Sequence, residues 1–112
     1  MLVVINVLIQ YYGKMFRNND KESVDWAKQI KYRDNYVCQV CRHFEYRLNS
    51  HHINSWDIFI GLRYDLNNGI TLCEKCHILF HSIYGKGKNT THQFKEFINI
   101  YRTLFEQLLK SS

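Results

Sequence analysis

Two Cys-x-x-Cys pairs constrain this chain more than any other feature of its sequence. The pairs are Cys38 with Cys41 and Cys73 with Cys76, and together they use all 4 cysteines. Each pair can close a tight turn that presents two thiolates to one ion, and a tetrahedral four-thiolate zinc site needs two such turns. In a reducing compartment this pattern favours structural zinc over two disulfides or a thioredoxin-like redox pair. We therefore predict one zinc ion bound by all four thiolates.

Length and composition limit the chain to one small folded unit. With 112 residues it is too short for two ordinary globular domains. Hydrophobic residues make up 46% of the chain and aromatic residues 15%, which excludes a disordered tail. The net charge of +5 weakly favours a polyanionic partner such as a nucleic acid.

An apolar segment, MLVVINVLIQ, occupies residues 1–10. It lacks the basic start and the small-residue cleavage site of a secretory signal, and it is much shorter than the roughly 20 residues that span a bilayer. We expect it to pack on the domain or against a second copy. The sequence therefore predicts a cytoplasmic protein that is neither secreted nor bound to a membrane.

The long insert between the two cysteine pairs carries further candidate ligands. It contains His51 and His52 at the end of an extended stretch (residues 46–53), an Asp/Asn-rich loop that includes Asn68, and an apolar run at residues 70–72. This order predicts two strands joined by a long loop. A helix over residues 74–84, ended by glycine, is predicted to follow.

On that helix His77 and His81 stand four residues apart, and Gly85 is where a C-terminal glycine would end it. The spacing places both imidazoles on one face, where they can bind one ion.

The order of these elements resembles the HNH (His-Asn-His, or ββα-metal) nucleases, in the subgroup that carries a four-cysteine zinc site. The resemblance covers residues 36–84 and implies an α+β fold, with a small ββα-metal core pinned by zinc and flanked by helices. We divide a single nuclease domain, residues 1–112, into an N-terminal flank (1–35), this core (36–84) and a C-terminal packing helix (90–110). One departure is His51, because many members have Asp there, and this bears on metal preference.

By this resemblance the chain is a metal-dependent endonuclease that nicks DNA or cleaves both strands. The family implies His52 as the general base, Asn68 as a residue that orients the loop or the His52 ring, and His51, His77 and His81 as ligands of a catalytic divalent ion. Consecutive residues of a strand point to opposite sides, so His51 and His52 should have different tasks. We expect Mg²⁺ or Mn²⁺ as the working metal, with Zn²⁺ or Ni²⁺ as alternatives.

Several basic residues are candidates for contact with DNA, and no spacing argument singles out one of them: Arg42, Arg47, Arg63, Lys86 and Lys88. The last two belong to the loop at residues 85–89, which we expect to be flexible. A double-strand break would need two copies or two sequential nicks, so a homodimer is possible. The family also suggests a phage or mobile-element origin.

The flanks of the motif predict helices. Ser23 is the expected cap of a short helix with Trp26 and Ile30 on its apolar face, and residues 36–37 are expected to form a strand that leads into Cys38. After a capping box of Thr90 and Gln93, an apolar stripe repeats at intervals of three and four. Its members are Phe94, Phe97, Ile98, Tyr101, Leu104, Phe105 and Leu108. We expect the stripe to pack on the core or the N-terminal segment, with dimerisation as the competing interpretation.

Two other functions remain open at this point. One is a non-catalytic zinc module that binds DNA or a protein through its basic surface. The other is a nuclease of the same type that acts on RNA or on structured DNA, because such a site acts on a phosphate and a metal rather than a base.

Overall fold

The computed structural model describes residues 20–43 and 47–111, so the predictions for residues 1–10 and for Tyr46 lie outside the described residues. Two strands and three helices form in this part of the chain: α1 (Lys21–Arg33), β1 (Leu48–His52), β2 (Gly69–Cys73), α2 (Glu74–Tyr84) and α3 (Thr91–Ser111). Two short 3-10 turns, Ile60–Leu62 and Leu66–Asn68, lie in the loop between the strands. The predicted α+β fold with a ββα order is confirmed. Among the described helices, none combines the length and the apolar character needed to cross a membrane.

The two strands form an antiparallel hairpin whose ends have different chemistry. Leu48 pairs with Cys73 at one end, and His52 pairs with Gly69 at the other. We call these the cysteine end and the histidine end. With a rise near 3.3 Å per residue, the two ends are about 13 Å apart. The hairpin thus holds the two sets of candidate ligands at separate places.

Helix α1 packs against the hairpin with Trp26 and Ile30, its two buried residues. Its cap is Asp20, whose carboxylate accepts a hydrogen bond from the Ser23 N–H at 2.7 Å, so the prediction of Ser23 as the cap was wrong by one turn. An Asp side chain at the N-cap also interacts favourably with the helix dipole.

The strand predicted at residues 36–37 is also wrong, because the chain turns there. Asn35 and Tyr36 have φ angles of 56° and 57°, which lie in the left-handed region and are incompatible with a strand. The turn delivers Cys38 to the hairpin, where the Gln39 N–H donates to the Thr71 carbonyl at 3.0 Å.

The core lies between the hairpin, α2 and the first half of α3. Phe80 of α2 packs edge-on against Phe97 of α3, with ring centroids 5.4 Å apart. The predicted stripe of α3 is buried or half-buried as far as Tyr101, whereas Leu104 and Phe105 are 56% and 48% exposed. Helix α3 has 21 residues and α2 has 11, so the second half of α3 extends past the helix that covers the first half.

The start of α3 is fixed to the loop between the strands. The predicted capping box is confirmed, since the Gln93 N–H donates to Thr90 Oγ1 at 3.3 Å and the Thr90 N–H donates to Gln93 Oε1 at 3.1 Å. Asn54 Oδ1 accepts a further bond from the Thr91 N–H at 2.9 Å. The preceding loop, predicted to be flexible, is held by Asn89, which is 2% exposed and donates to the Gly85 carbonyl at 3.2 Å.

Candidate active site

The four cysteines converge at the cysteine end. Their sulfur atoms all lie within 4.8 Å of one another, as the sequence predicted. Cys73 is the N-cap of α2, where its sulfur accepts from the Cys76 N–H at 3.4 Å. The start of α2 thus holds the Cys73 sulfur beside the other three sulfur atoms.

The pKa values of Cys38, Cys41 and Cys76 favour the binding of a cation to this cluster. A hydrogen bond from Cys76 lowers the pKa of Cys38 to about 4. Burial, and then the adjacent Cys38 sulfur, raise the pKa of Cys41 to about 11, and Cys38 likewise raises the pKa of Cys76. One thiolate is stabilised only while its neighbours keep their protons. A doubly charged ion removes this conflict, so the donor set fits a tetrahedral metal site.

Three histidines form a second cluster on the hairpin and α2. The candidate ligand nitrogens of His51, His77 and His81 all lie within 4.8 Å of one another. His51 is 4% exposed, and within the described part of the structure its Nε2 has no hydrogen-bond partner. A buried ring nitrogen without a partner is costly unless it serves as a ligand. The three imidazoles therefore fit a divalent ion.

The protonation of these histidines suits metal binding. Burial, and then the neighbouring His77 and His81, lower the pKa of His51 to about 3. Burial, then His81 and the charge of Lys86, lower the pKa of His77 to about 4. Both rings are thus neutral at neutral pH, which is the form that binds a metal.

His81 has a defined tautomer. Its Nδ1–H donates to the Gly85 carbonyl at 2.8 Å, so the lone pair of the neutral ring is on Nε2, 3.1 Å from His77 Nε2. A hydrogen bond from the second ring nitrogen to a backbone carbonyl is typical of metal-binding histidines. The end of α2 at Gly85 therefore also orients this ligand.

His52 lies on the opposite face of β1 from His51, as the period of a strand requires. Its Nε2–H donates to the Arg63 carbonyl at 2.8 Å, which leaves Nδ1 as the basic nitrogen of the neutral ring. The ring stacks on Trp26, with centroids 3.9 Å apart and planes within 10°, and meets the edge of Trp56 at 5.7 Å. The side chain is half-buried, so it has a fixed orientation and some access to solvent.

Asn68 closes the loop between the strands. Its Oδ1 accepts from the Asn54 N–H at 2.8 Å, and its Nδ2 donates to the carbonyls of Asn54 at 2.9 Å and Leu62 at 3.1 Å. The Asn68 carbonyl also accepts from the Ile53 N–H at 2.9 Å. Of the two roles that the sequence left open for the amide, these bonds correspond to fixing the loop that carries Arg63.

The basic candidates divide between the two ends. Arg42 and Arg47 flank the cysteine end, and Arg47 pairs loosely with Glu74 at 3.5 Å. Arg63 lies beside His52, with its Nε–H donating to the Trp56 carbonyl at 2.8 Å and its guanidinium 4.4 Å from the Trp56 ring centroid. Lys86 and Lys88 are exposed in the loop after α2, and Lys86 is near enough to His77 to influence its pKa.

Sequence reasoning missed several supporting residues. Trp26 was expected only as part of an apolar helix face, and Asn54 was not singled out at all. Their partners, His52 and Asn68, are distant in sequence, so no local spacing could have revealed the contacts. The sequence predicted that α2 ends at Gly85. It did not predict the hydrogen bond between the Gly85 carbonyl and His81.

The segment that carries both candidate ligand clusters is similar to a known protein family. Residues 38–82 match a family model described as HNH endonuclease. A curated protein of Nostoc sp. (strain PCC 7120), called Anaredoxin, is 34% identical over 67 residues, which cover 60% of this chain and 83% of that protein. No solved structure gives a significant match.

Proposed function

We propose that this chain, which belongs to the HNH endonuclease family, hydrolyses phosphodiester bonds of DNA with His52 as the general base. The observation that carries the proposal is that two histidines with different partners lie at the end of β1. His51 joins two histidines of α2 in a cluster suited to a divalent ion, and His52 is oriented separately by a backbone carbonyl. Base and metal ligands on neighbouring positions are what phosphodiester hydrolysis needs.

Two metal sites are part of the proposal. Cys38, Cys41, Cys73 and Cys76 would hold a structural Zn²⁺. His51, His77 and His81 would hold a catalytic divalent ion, with Mg²⁺ or Mn²⁺ as the first choice and Zn²⁺ or Ni²⁺ as alternatives. When bound, that ion would stabilise the negative charge that develops on the phosphate.

The proton chemistry is assigned to His52. Its Nε2–H bond to the Arg63 carbonyl leaves Nδ1 to take a proton from the attacking water. The water oxygen forms a bond to phosphorus while the bond from phosphorus to the 3′ oxygen breaks. The proton from water ends on His52, and the 3′ oxygen takes a proton from solvent, which gives 5′-phosphate and 3′-hydroxyl ends.

We assign contact with the substrate to the histidine end. Arg63 carries a guanidinium held in place by Trp56, and the charge of Lys86 contributes to the lowered pKa of His77. Each phosphate contact by these side chains would release counterions and make binding dependent on salt. The net charge of +5 supports the same kind of partner.

The test is cleavage of supercoiled plasmid with Mg²⁺, Mn²⁺, Ni²⁺ or Zn²⁺ supplied in turn. We expect the wild type to nick the plasmid, and we expect His52→Ala to lower the rate by roughly 100-fold or more, the usual contribution of a general base. The matched control is His92→Ala, which removes an exposed histidine of α3 and should cleave like the wild type. Zinc content and thermal unfolding confirm that the variants are folded.

The same assay separates the rival functions. Equal cleavage by His52→Ala and wild type would contradict the assignment of the base. A folded, zinc-loaded wild type that fails to cleave with every one of the four metals would point to a zinc module that only binds DNA or a protein. Parallel assays on single-stranded DNA and RNA test the choice of substrate.

The setting of the enzyme is part of the proposal. Four thiolate ligands are stable in a reducing compartment, which favours the cytoplasm, and a small nuclease of this family favours a phage or mobile-element origin. One active site acts on one strand at a time, so a single copy would nick and a double-strand break would need a second copy.

A further inference from the structure

The indole of Trp26 covers one face of the His52 ring. The two ring centroids are 3.9 Å apart and the planes differ by 10°, which is a close parallel stack. Trp26 belongs to α1 and precedes residues 38–82, the segment that matches the family model. A side chain outside the family motif is thus in direct contact with the proposed base.

Trp26 is itself rigidly held. It is 4% exposed, and its Nε1–H donates to the Asp65 carbonyl at 2.9 Å. Asp65 lies in the same loop as Arg63, whose carbonyl accepts from His52 Nε2. The stacking ring and the hydrogen-bond acceptor of His52 are therefore fixed to one another through a single loop.

A glycine makes this approach possible. Gly69 is paired directly with His52 across the hairpin, so a side chain at position 69 would lie on the same face as the His52 ring. A Cβ atom at Gly69 would lie 2.5 Å from Trp26 Cζ2 and 2.5 Å from Ile30 Cδ1, far closer than carbon atoms approach. The missing side chain leaves the space in which the indole lies.

We propose that Trp26 is a positioning residue for His52, and this inference rests on the proposed nuclease function. The bond from Nε2 to the Arg63 carbonyl fixes one atom of the imidazole, and the parallel stack on Trp26 fixes the plane of its ring. Together the two contacts hold Nδ1 in one direction. A base that is held in its reactive geometry needs no search before the chemical step, so the contribution belongs to kcat rather than to substrate binding.

The first experiment separates kcat from KM in plasmid nicking. Trp26→Leu removes the planar ring and is expected to lower kcat about 10- to 100-fold with KM unchanged, because a small misplacement of a reacting group has effects of this size. Trp26→Phe keeps a planar ring and is expected to retain most of the rate. Ile30→Val, which removes one buried methyl group from the same helix, is the matched control and should cleave like the wild type.

A double-mutant cycle tests whether Trp26 acts through His52. In a His52→Ala background, Trp26→Leu is expected to cause no further loss of the residual rate. An equal loss in both backgrounds, or a rise in KM with unchanged kcat, would overturn the positioning role. If Trp26→Leu does not unfold cooperatively, Trp26→Met replaces it as a variant that keeps apolar volume without a planar face.

The stack also has a signature in the wild type that needs no substitution at Trp26. The carbon-bound ring protons of His52 lie over the indole and should resonate upfield of those of the exposed His92. Unshifted His52 protons would overturn the inference. If the wild type cleaves and Trp26→Leu cleaves at the same rate, the positioning role alone is overturned. If the wild type cleaves nothing, the proposed function is overturned first.

Discussion

The two ends of the hairpin present metal ligands in different numbers. The cysteine end brings four sulfur atoms together, and the histidine end brings three imidazoles together. In proteins, structural sites are usually closed by four protein ligands, whereas catalytic sites use three and leave a position open. Under the proposed function, the hairpin therefore separates a site that would hold the fold from a site that would accept a substrate oxygen.

The two ends also differ in how much they depend on a cation. The thiol cluster cannot ionise fully by itself, since the sulfurs raise the pKa values of their neighbours. The buried His51 and the half-buried His77 have lowered pKa values of about 3 and 4, so both are neutral without an ion. Losing the proposed zinc ion should therefore unfold the protein, whereas losing the proposed catalytic ion should leave it folded.

The largest expected effect is a loss of folding stability after a substitution at the cysteine end. Cys38 is fully buried, and Cys38→Ser removes one of the four thiolates. A structural zinc ion contributes on the order of 10 kcal/mol to folding in small zinc domains, so we expect the variant to lose cooperative unfolding and zinc. Circular dichroism during heating and zinc analysis measure both. A variant that melts like the wild type would remove the distinction between the two ends.

At the histidine end the expected loss is of activity rather than fold. His77→Ala removes one of three ligands of the catalytic ion, whose charge stabilisation is worth several kcal/mol. We expect plasmid cleavage to fall by about 100-fold or more, while zinc content stays as in the wild type. Unfolding of this variant would show that the histidine end also holds the fold. The exposed His92→Ala serves again as the control.

A smaller effect is expected from the loop that closes the histidine end. Asn68→Ala removes the hydrogen bonds to Asn54 and Leu62 from a side chain that is 4% exposed. We expect the free energy of unfolding to fall by about 2–4 kcal/mol, because buried backbone groups lose their partners. Asn67→Ala, at the exposed neighbouring position, should change it by less than about 0.5 kcal/mol. Denaturant unfolding compares the two, and equal losses would contradict the proposed role of Asn68.

The smallest effect concerns DNA binding at the two ends. Lys86→Ala should weaken plasmid binding and reduce the slope of log affinity against log salt by about 1, as expected for one lost phosphate contact. Arg47→Ala, at the cysteine end, should weaken binding less. Binding titrations at several salt concentrations distinguish them. Equal losses would mean that the DNA covers both ends.

Local spacing allowed the cysteine set and the pair His77 and His81 to be predicted from the sequence, and the resemblance to the HNH nucleases added His51. Cys-x-x-Cys and the four-residue interval between His77 and His81 fix geometry within one turn, and the alternation of a strand separates His51 from His52. The roles of these residues in catalysis stay predictions. What the structure confirms is the ββα order and the convergence of the ligands.

Contacts between distant segments could not be predicted in the same way. The stack of Trp26 on His52 depends on the space beside Gly69, which only the pairing of the strands reveals. The end of packing along α3 depends on the length of α2, because the apolar stripe itself continues to Leu108. The turn at residues 35–36 depends on left-handed backbone angles, which Asn adopts readily but Tyr rarely does.

The order of the ligands along the chain has a consequence for biosynthesis. His51 and His52 leave the ribosome after the first cysteine pair but before Cys73, and Cys76 directly precedes His77. Until α2 has emerged, no chain can complete the four-thiolate cluster or gather its three histidines. Under the proposed function, nascent and truncated chains would therefore leave the DNA of the cell that makes them intact, and the zinc supply would set how much of the protein could cleave DNA.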